Sequence, residues 1–267
     1  MQKNGFSEIN KSIDRIKSIS SNIYQRTIVI IVVLVVWEIA PRLNLIDPVF
    51  IPPPSTIAYA FIKLIISGEL IRAIIISMSR AICGFGIAMI LAIPLGFFMG
   101  WFKKFEKYMD PLFSTLRQVN TMTILPLFIL LLGIGEASKI AIIAYASFWS
   151  TFLNTASAVR NVDPLYIKCA KSIKLSNGKI FRKVVLPSSI PSIFTGLRYS
   201  ASVSLILLVT SEMLGATNGL GYAINNWQML FQTDNMWAGI VTMALIGLII
   251  NNIFVWIEKR LTHWKYV

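Results

Sequence analysis

The chain has 267 residues, a formal net charge of +13, 55% hydrophobic residues and only 14% charged ones. A soluble domain of this length carries about 25% charged residues, so the composition excludes an ordinary soluble protein and points to an integral membrane protein built of helices. Two cysteines, Cys83 and Cys169, are too few and too far apart for a disulfide framework or a metal site.

Residues 1–26 are polar and too long for the n-region of a signal peptide. No small-residue cleavage site follows, so they read as a tail before a retained first span. Apolar runs then mark six spans, at about 24–41, 72–102, 119–134, 138–160, 189–212 and 236–257. The first is interrupted by Glu38 and stops at Pro41, and the third is short and begins among Gln118, Asn120 and Thr121. Six spans put both termini on one side. That side collects 19 of the 25 basic residues, whereas the opposite loop, 213–235, has none. The positive-inside rule makes it the cytoplasmic side. The expected organisation is a cytoplasmic tail (1–26), a membrane domain (27–260) with a cytoplasmic loop at 161–188, and a short tail (261–267).

Between the first two spans, Ser55 or Thr56 can cap a helix whose Ile57, Ala60, Phe61, Leu64 and Ile65 share a face. It reads either as a helix in the outer interface or as a connector packed on the bundle. In the second span Gly84, Ala88, Ala92, Gly96 and Gly100 recur every four residues. Such a stripe lets another backbone approach closely.

The fourth span carries a polar stripe of Ser147, Ser150, Asn154 and Ser157, and the fifth repeats it with Ser200, Ser204 and Ser211, ending at Glu212. Polar residues at membrane depth face a bundle interior or a water-filled path. Ser147, Ser150, Asn154, Ser200, Ser204, Ser211 and Glu212 are therefore candidates for a translocation pathway, the alternative being serines bonded to backbone or a neighbouring helix. Arg198 and Glu212 lie too far apart on the fifth span to pair, and each reads as a boundary marker. No cation falls at the middle of a span. The loop 215–227 supplies tight bends at Gly215, Gly219 and Gly221 and reads as an outer gate or a plain connection.

No catalytic constellation is present: the one histidine, His263, lies in the tail, and Gly178-Lys179 lacks the rest of a phosphate-binding loop. No cofactor or metal is expected in this chain, and any ATP must be hydrolysed elsewhere. Six basic residues and no acid occupy 168–187, within an otherwise apolar chain. Asp163-Pro164 starts a helix with Leu165, Cys169 and Ile173 on one face. Ser176 starts a second, with Ile180, Phe181, Val184 and Val185 on another, and Pro187 ends it before the fifth span. Basic amphipathic helices can lie on anionic lipid or enter a groove on a protein partner. Nucleic acid fits poorly, because the segment is tethered at the membrane at both ends.

Spacing here resembles the cytoplasmic "EAA" loop of ABC-importer permeases. Lys168, Cys169 and Ala170 stand at its E-A-A positions, Lys174 at its glycine, and Val184, Leu186 and Pro187 at its I-x-L-P ending. The stretches LPLFILLLGIGEASKIAIIA, FLNTASAVRNVDP, LPSSIPSIFTGLR and SEMLGATNGLGYAI are similar to permeases of the nitrate, sulfonate, taurine and bicarbonate group, which includes thiamine-precursor importers. The resemblance covers about residues 48–260. It implies a type I importer bundle in the inner membrane, working as a dimer with two cytoplasmic ATPases and an extracytoplasmic solute-binding protein. It also implies that Leu165, Lys168, Cys169, Ala170, Ile173, Lys174, Ile180, Phe181, Val184, Leu186 and Pro187 form the ATPase-coupling element. A self-contained secondary transporter or channel is the alternative. Lys168 reverses the family's charge, and Lys174 replaces a residue suited to positive φ, so the turn is expected to have moved to Asn177-Gly178.

Overall fold

The computed structural model describes residues 28–29 and 31–262, so the expectations for the tail 1–26 and for 263–267 lie outside the described residues. The described residues fold as helices and connecting turns, without strands. In chain order these are α1 (31–42), α2 (Pro54–Ile66), α3 (Glu69–Trp101), α4 (Lys103–Leu116), α5 (Thr121–Leu132), α6 (Glu136–Arg160), α7 (Pro164–Ser172) and α8 (Asn177–Ile180). A π turn (Phe181–Val185) leads into α9 (Leu186–Gly215), followed by α10 (Leu220–Met229) and α11 (Thr233–Leu261).

Three helical runs are each long and apolar enough to cross a membrane: α3, the continuous stretch Asn177–Gly215, and α11. The α4–α5 pair, bent by 85°, makes a fourth if it counts as one span. The other two expected spans differ for physical reasons. The described part of the first, 28–29 and 31–41, is helical but shorter than a span and carries Glu38 near its end. The 25 residues of α6 reach about 37 Å, enough for a bilayer, but its Ser, Thr and Asn dilute its apolar character. α6 tolerates them because it is the central helix, clasped between α3 and α9.

The small-residue stripe of α3 is what lets α6 in. A Cβ on Gly84 would stand 2.8 Å from Ile143 Cβ, one on Gly96 2.7 Å from Thr155 Cβ, and one on Gly100 2.6 Å from Val159 Cβ. Ala88 and Ala92, between them, are buried. On the other side of α6, Asn154 occupies the space a side chain on Gly196 would need. These helices approach backbone to backbone, the way close packing is obtained where lipid offers no hydrophobic drive.

α2 packs on the bundle: Ile57, Ala60 and Leu64 join Leu70, Ala73, Leu220, Ile224, Trp227 and Ala238 in one apolar cluster. Of the two readings of this helix, the packed connector is the one observed. Pro187 does not end the second loop helix as expected. The Leu186 N–H donates to Phe181 O across the π turn, and the helix runs on through Pro187 into α9. The widened turn adjusts the ladder where proline cannot donate.

Candidate functional site

Arg80 projects from α3, 1% exposed, into the space where the first turn of α6, the end of α9 and the start of α10 converge. Its Nε and Nη2 donate to the two carboxylate oxygens of Glu136 at 2.5 Å each, a bidentate fork suited to the planar guanidinium. Nη1 donates to Glu212 Oε1 at 2.7 Å and to Asn218 O at 2.9 Å, while Nη2 also reaches Asn218 Oδ1. All five guanidinium N–H groups are thereby engaged.

Glu212 is fully buried. Its oxygens also accept from Ser77 Oγ at 2.8 Å and from the Gly221 N–H at 2.8 Å, and Ser77 Oγ accepts from the Leu220 N–H at 2.7 Å. The buried first turn of α10 is thus capped by a carboxylate from α9, which suits the positive end of a helix. Lys139, 5% exposed, donates to Gly135 O at 3.2 Å beside this group. With Arg80 and Lys139 against Glu136 and Glu212, the cluster is formally neutral, the condition under which buried charge is tolerable.

Gly219 adopts φ 107°, and a Cβ there would run into the Glu212 carboxylate and stand 2.7 Å from Arg80 Nη1. A Cβ on Gly221 would stand 2.6 Å from Val209 O. Both glycines are required by close approach, whereas Gly215 has only Ile129 Cδ1 nearby at 3.5 Å. The arrangement is a saturated lock joining α3, α6, α9 and α10. Every guanidinium donor of Arg80 is used, and the exposed part of the lock is the Glu136 carboxylate.

At the other end of the bundle, the Asp163 side chain accepts from the Leu165 N–H at 2.8 Å and starts α7 as expected. α7 ends in a Schellman arrangement: the Leu175 N–H donates to Ala170 O at 3.2 Å and the Lys174 N–H to Lys171 O at 2.9 Å. Lys174 itself takes the left-handed conformation, φ 55°. The turn has therefore not moved to Asn177-Gly178, which lies in α8 without positive φ. The hydrogen bonds of the cap hold lysine in a geometry that glycine adopts more cheaply.

Leu165, Tyr166 and Ile173 are 59%, 54% and 70% exposed, alongside exposed Lys168, Cys169 and Lys174. The second half of the loop points the other way. Ile180 and Val185 are buried, and Ala170, Phe181 and Val184 pack with them against Phe97, Trp101, Val159 and Val162. Phe181 meets Phe97 and Trp101 ring to ring, with centroids 5.7 and 5.4 Å apart.

Residues 84–263 match the family described as "binding-protein-dependent transport system inner membrane component". The chain belongs to this family. Among relatives, a protein named as the aliphatic sulfonates transport permease SsuC of Bacillus subtilis (strain 168) is 33% identical over 234 residues, covering 88% of this chain and 85% of that one. The taurine transport system permease TauC of Escherichia coli (strain K12) is 31% identical over 238 residues, 87% of this chain and 86% of its own. The bicarbonate transport permease CmpB of Synechococcus elongatus is 28% identical over 69% of this chain and 67% of its own. The inward-facing MetNI methionine ABC transporter shares the fold, with TM-score 0.64 at 15% identity over 73% of this chain and 96% of that one.

As a binding-protein-dependent permease, the chain is a component of a transport system, and the self-contained transporter is set aside. The expected site residues divide. Glu212, Gly219 and Gly221, assigned in the sequence to a pathway and a gate, meet in one lock with Arg80. Glu212 is thus tied into an ion-pair cluster, and Arg80 and Lys139 are the buried cations that sequence reasoning overlooked. Arg198 sits instead 3.8 Å from Glu258 on α11. The polar stripes meet at Ser200 Oγ, which donates to Ser150 Oγ at 2.9 Å between α9 and α6, whereas Asn154 Nδ2 donates within α6 to Ser150 O at 2.8 Å. Ser204 and Ser211 donate to backbone carbonyls of their own helix, and Ser147 is fully buried. Within one subunit most of the stripe residues are buried between helices; Ser150 and Asn154 retain partial exposure, and Ser157, near the end of α6, is exposed. Ile180 belongs to the core and Phe181 and Val184 pack against it, so the docking face implied for these residues is not presented.

Proposed function

We propose that this permease is the membrane-spanning subunit of an importer for a small organic sulfonate or a related oxyanion, delivered by a solute-binding protein and driven by cytoplasmic ATPases. The relatives named for sulfonate and taurine transport support the cargo class. Six spans with both termini in the cytoplasm, in the inner membrane, are supported by the 19 of 25 basic residues that one side would collect. A homodimer is the working unit, consistent with the exposed apolar residues of α5, among them Leu130 at 80% and Leu131 at 69%.

The observation that carries the coupling role is the face of α7. Leu165, Tyr166, Cys169 and Ile173 stand exposed between Lys168 and Lys174 on a helix capped at both ends. That face enters a groove of the ATPase, which offers an acid opposite Lys168. Ala170, Ile180, Phe181, Val184, Leu186 and Pro187 act behind it, tying α7 to α3 and carrying its movement into α9 without a break. Ser150 and Asn154, on the exposed edge of the polar stripe, are the pathway residues we retain, and Gly215 with the lock forms the outer gate.

Growth of the source cell on taurine or an alkanesulfonate as sole sulfur source tests this reading. Deleting the gene should abolish that growth, and the wild-type chain should restore it where a Leu165→Asp/Ile173→Asp chain does not. Unchanged growth of the deletion strain would remove the sulfonate assignment, and full rescue by the double variant would remove the coupling role of the α7 face.

A further inference from the structure

We propose that the flank of α3 next to the basic loop is a binding site for one anionic phospholipid. A groove of about 910 Å³ lies between the end of α3, the start of α4 and the α7–α8 turn. Pro94, Phe98, Trp101 and Phe102 give it an apolar wall. Pro94 lies seven residues before Trp101, so the wall runs about 10 Å along a membrane-crossing helix. That depth suits acyl chain and not a soluble protein. At the mouth stand Lys103, Lys104 and Lys171, all exposed, and no acid lines the groove. The nearest carboxylate on α4, Glu106, is engaged by Arg160 at 2.5 Å. The mouth is therefore a triad of cations without countercharge among the described residues, set where aromatic side chains end and lysines begin.

This arrangement matches an amphiphile with an anionic head and an apolar tail. Aromatic rings sit at the boundary between hydrocarbon and headgroup, and lysine stems can follow apolar surface while their ammonium groups reach phosphate. The aromatic wall is itself held in place, with Phe98 packed against Phe105 and Phe102 at centroid distances of 4.9 and 4.5 Å. The basic loop then has two surfaces with different partners: the exposed apolar face of α7 and, toward α3, a lipid clasp. Lys171 belongs to both α7 and the groove, so an occupied groove would steady the docking helix. That consequence rests on the coupling role proposed above, whereas the lipid site itself does not.

The test is native mass spectrometry of the full chain in detergent, with added phosphatidylglycerol or phosphatidylcholine of the same chain length. A micelle has no sides, so the result is independent of the proposed topology and of any ATPase. One phosphatidylglycerol should be retained per chain in preference to phosphatidylcholine. Each lysine near anionic lipid is worth about fivefold in affinity, so Lys103→Gln/Lys104→Gln/Lys171→Gln should weaken retention by about a hundredfold while eluting as a monodisperse species. Phosphatidylglycerol with brominated chains should quench part of the tryptophan emission, and Trp101→Phe should remove that part. Equal retention of both lipids, retention unaffected by the triple variant, or quenching unchanged in Trp101→Phe would each overturn the site.

Discussion

Replacing Arg80 by Met removes one cation from a site where Glu212 is fully buried and Arg80 is 1% exposed. Glu212 would keep Ser77 and the Gly221 N–H but lose its charge partner, and Asn218 would lose both contacts that hold its loop. Breaking a buried pair from one side costs about 3–5 kcal/mol. Glu136→Gln should cost much less, about 1 kcal/mol at most, because that side chain is 57% exposed and water screens what remains. The double change Arg80→Met/Glu212→Met removes both charges together and should recover most of the loss. The assay is the midpoint of thermal unfolding in detergent, followed by size exclusion. Arg80→Met should fall by roughly 10 °C, given about 2–4 °C per kcal/mol in a chain of this size. An Arg80→Met protein no less stable than Glu136→Gln, or a double variant no better than Arg80→Met, would refute the claim that these residues form one mutually compensated lock.

Three further outcomes can be measured on the same footing. Gly96→Ala should lower the unfolding midpoint by about 1–3 kcal/mol equivalent, since its Cβ would stand 2.9 Å from the Phe152 carbonyl, while Gly86→Ala, with open space around it, should be neutral or stabilising. Lys174→Gly should stabilise by about 1 kcal/mol by relieving the left-handed strain at φ 55°, read from the same melting curves. Lys168→Glu should weaken binding of the partner ATPase in a pull-down, and a strengthened complex would contradict an acidic counterpart in its groove.

The long apolar helices α3, α9 and α11 were readable because apolar runs are local signals, and the four-residue stripe of α3 announced its close neighbour before that neighbour was known. The positive φ at residue 174 was foreshadowed by the spacing of the loop, although the lysine there suggested a displaced turn. The Arg80 lock was harder to see. Arg80 and Glu212 are 132 positions apart, and their pairing depends on which helices adjoin. A clue was present, since Arg80, Glu136, Lys139 and Glu212 sit alone in apolar surroundings and sum to zero charge. Periodicity likewise revealed apolar faces on both halves of the basic loop but not their direction. Leu165 and Ile173 turned outward, whereas Ile180 and Val185 turned onto Phe97 and Trp101 of a helix remote in sequence.

The coupling claim is tested most directly by purifying the tagged chain gently from its source cell and identifying what accompanies it. The wild-type chain should bring a stoichiometric ATPase. Leu165→Asp/Ile173→Asp should lose it while remaining monodisperse, and Ile180→Asp should instead misfold, because that residue is 1% exposed. An ATPase absent from the wild-type preparation, or retained undiminished by the double variant, would contradict the assignment of the α7 face as the point where ATP hydrolysis enters the permease.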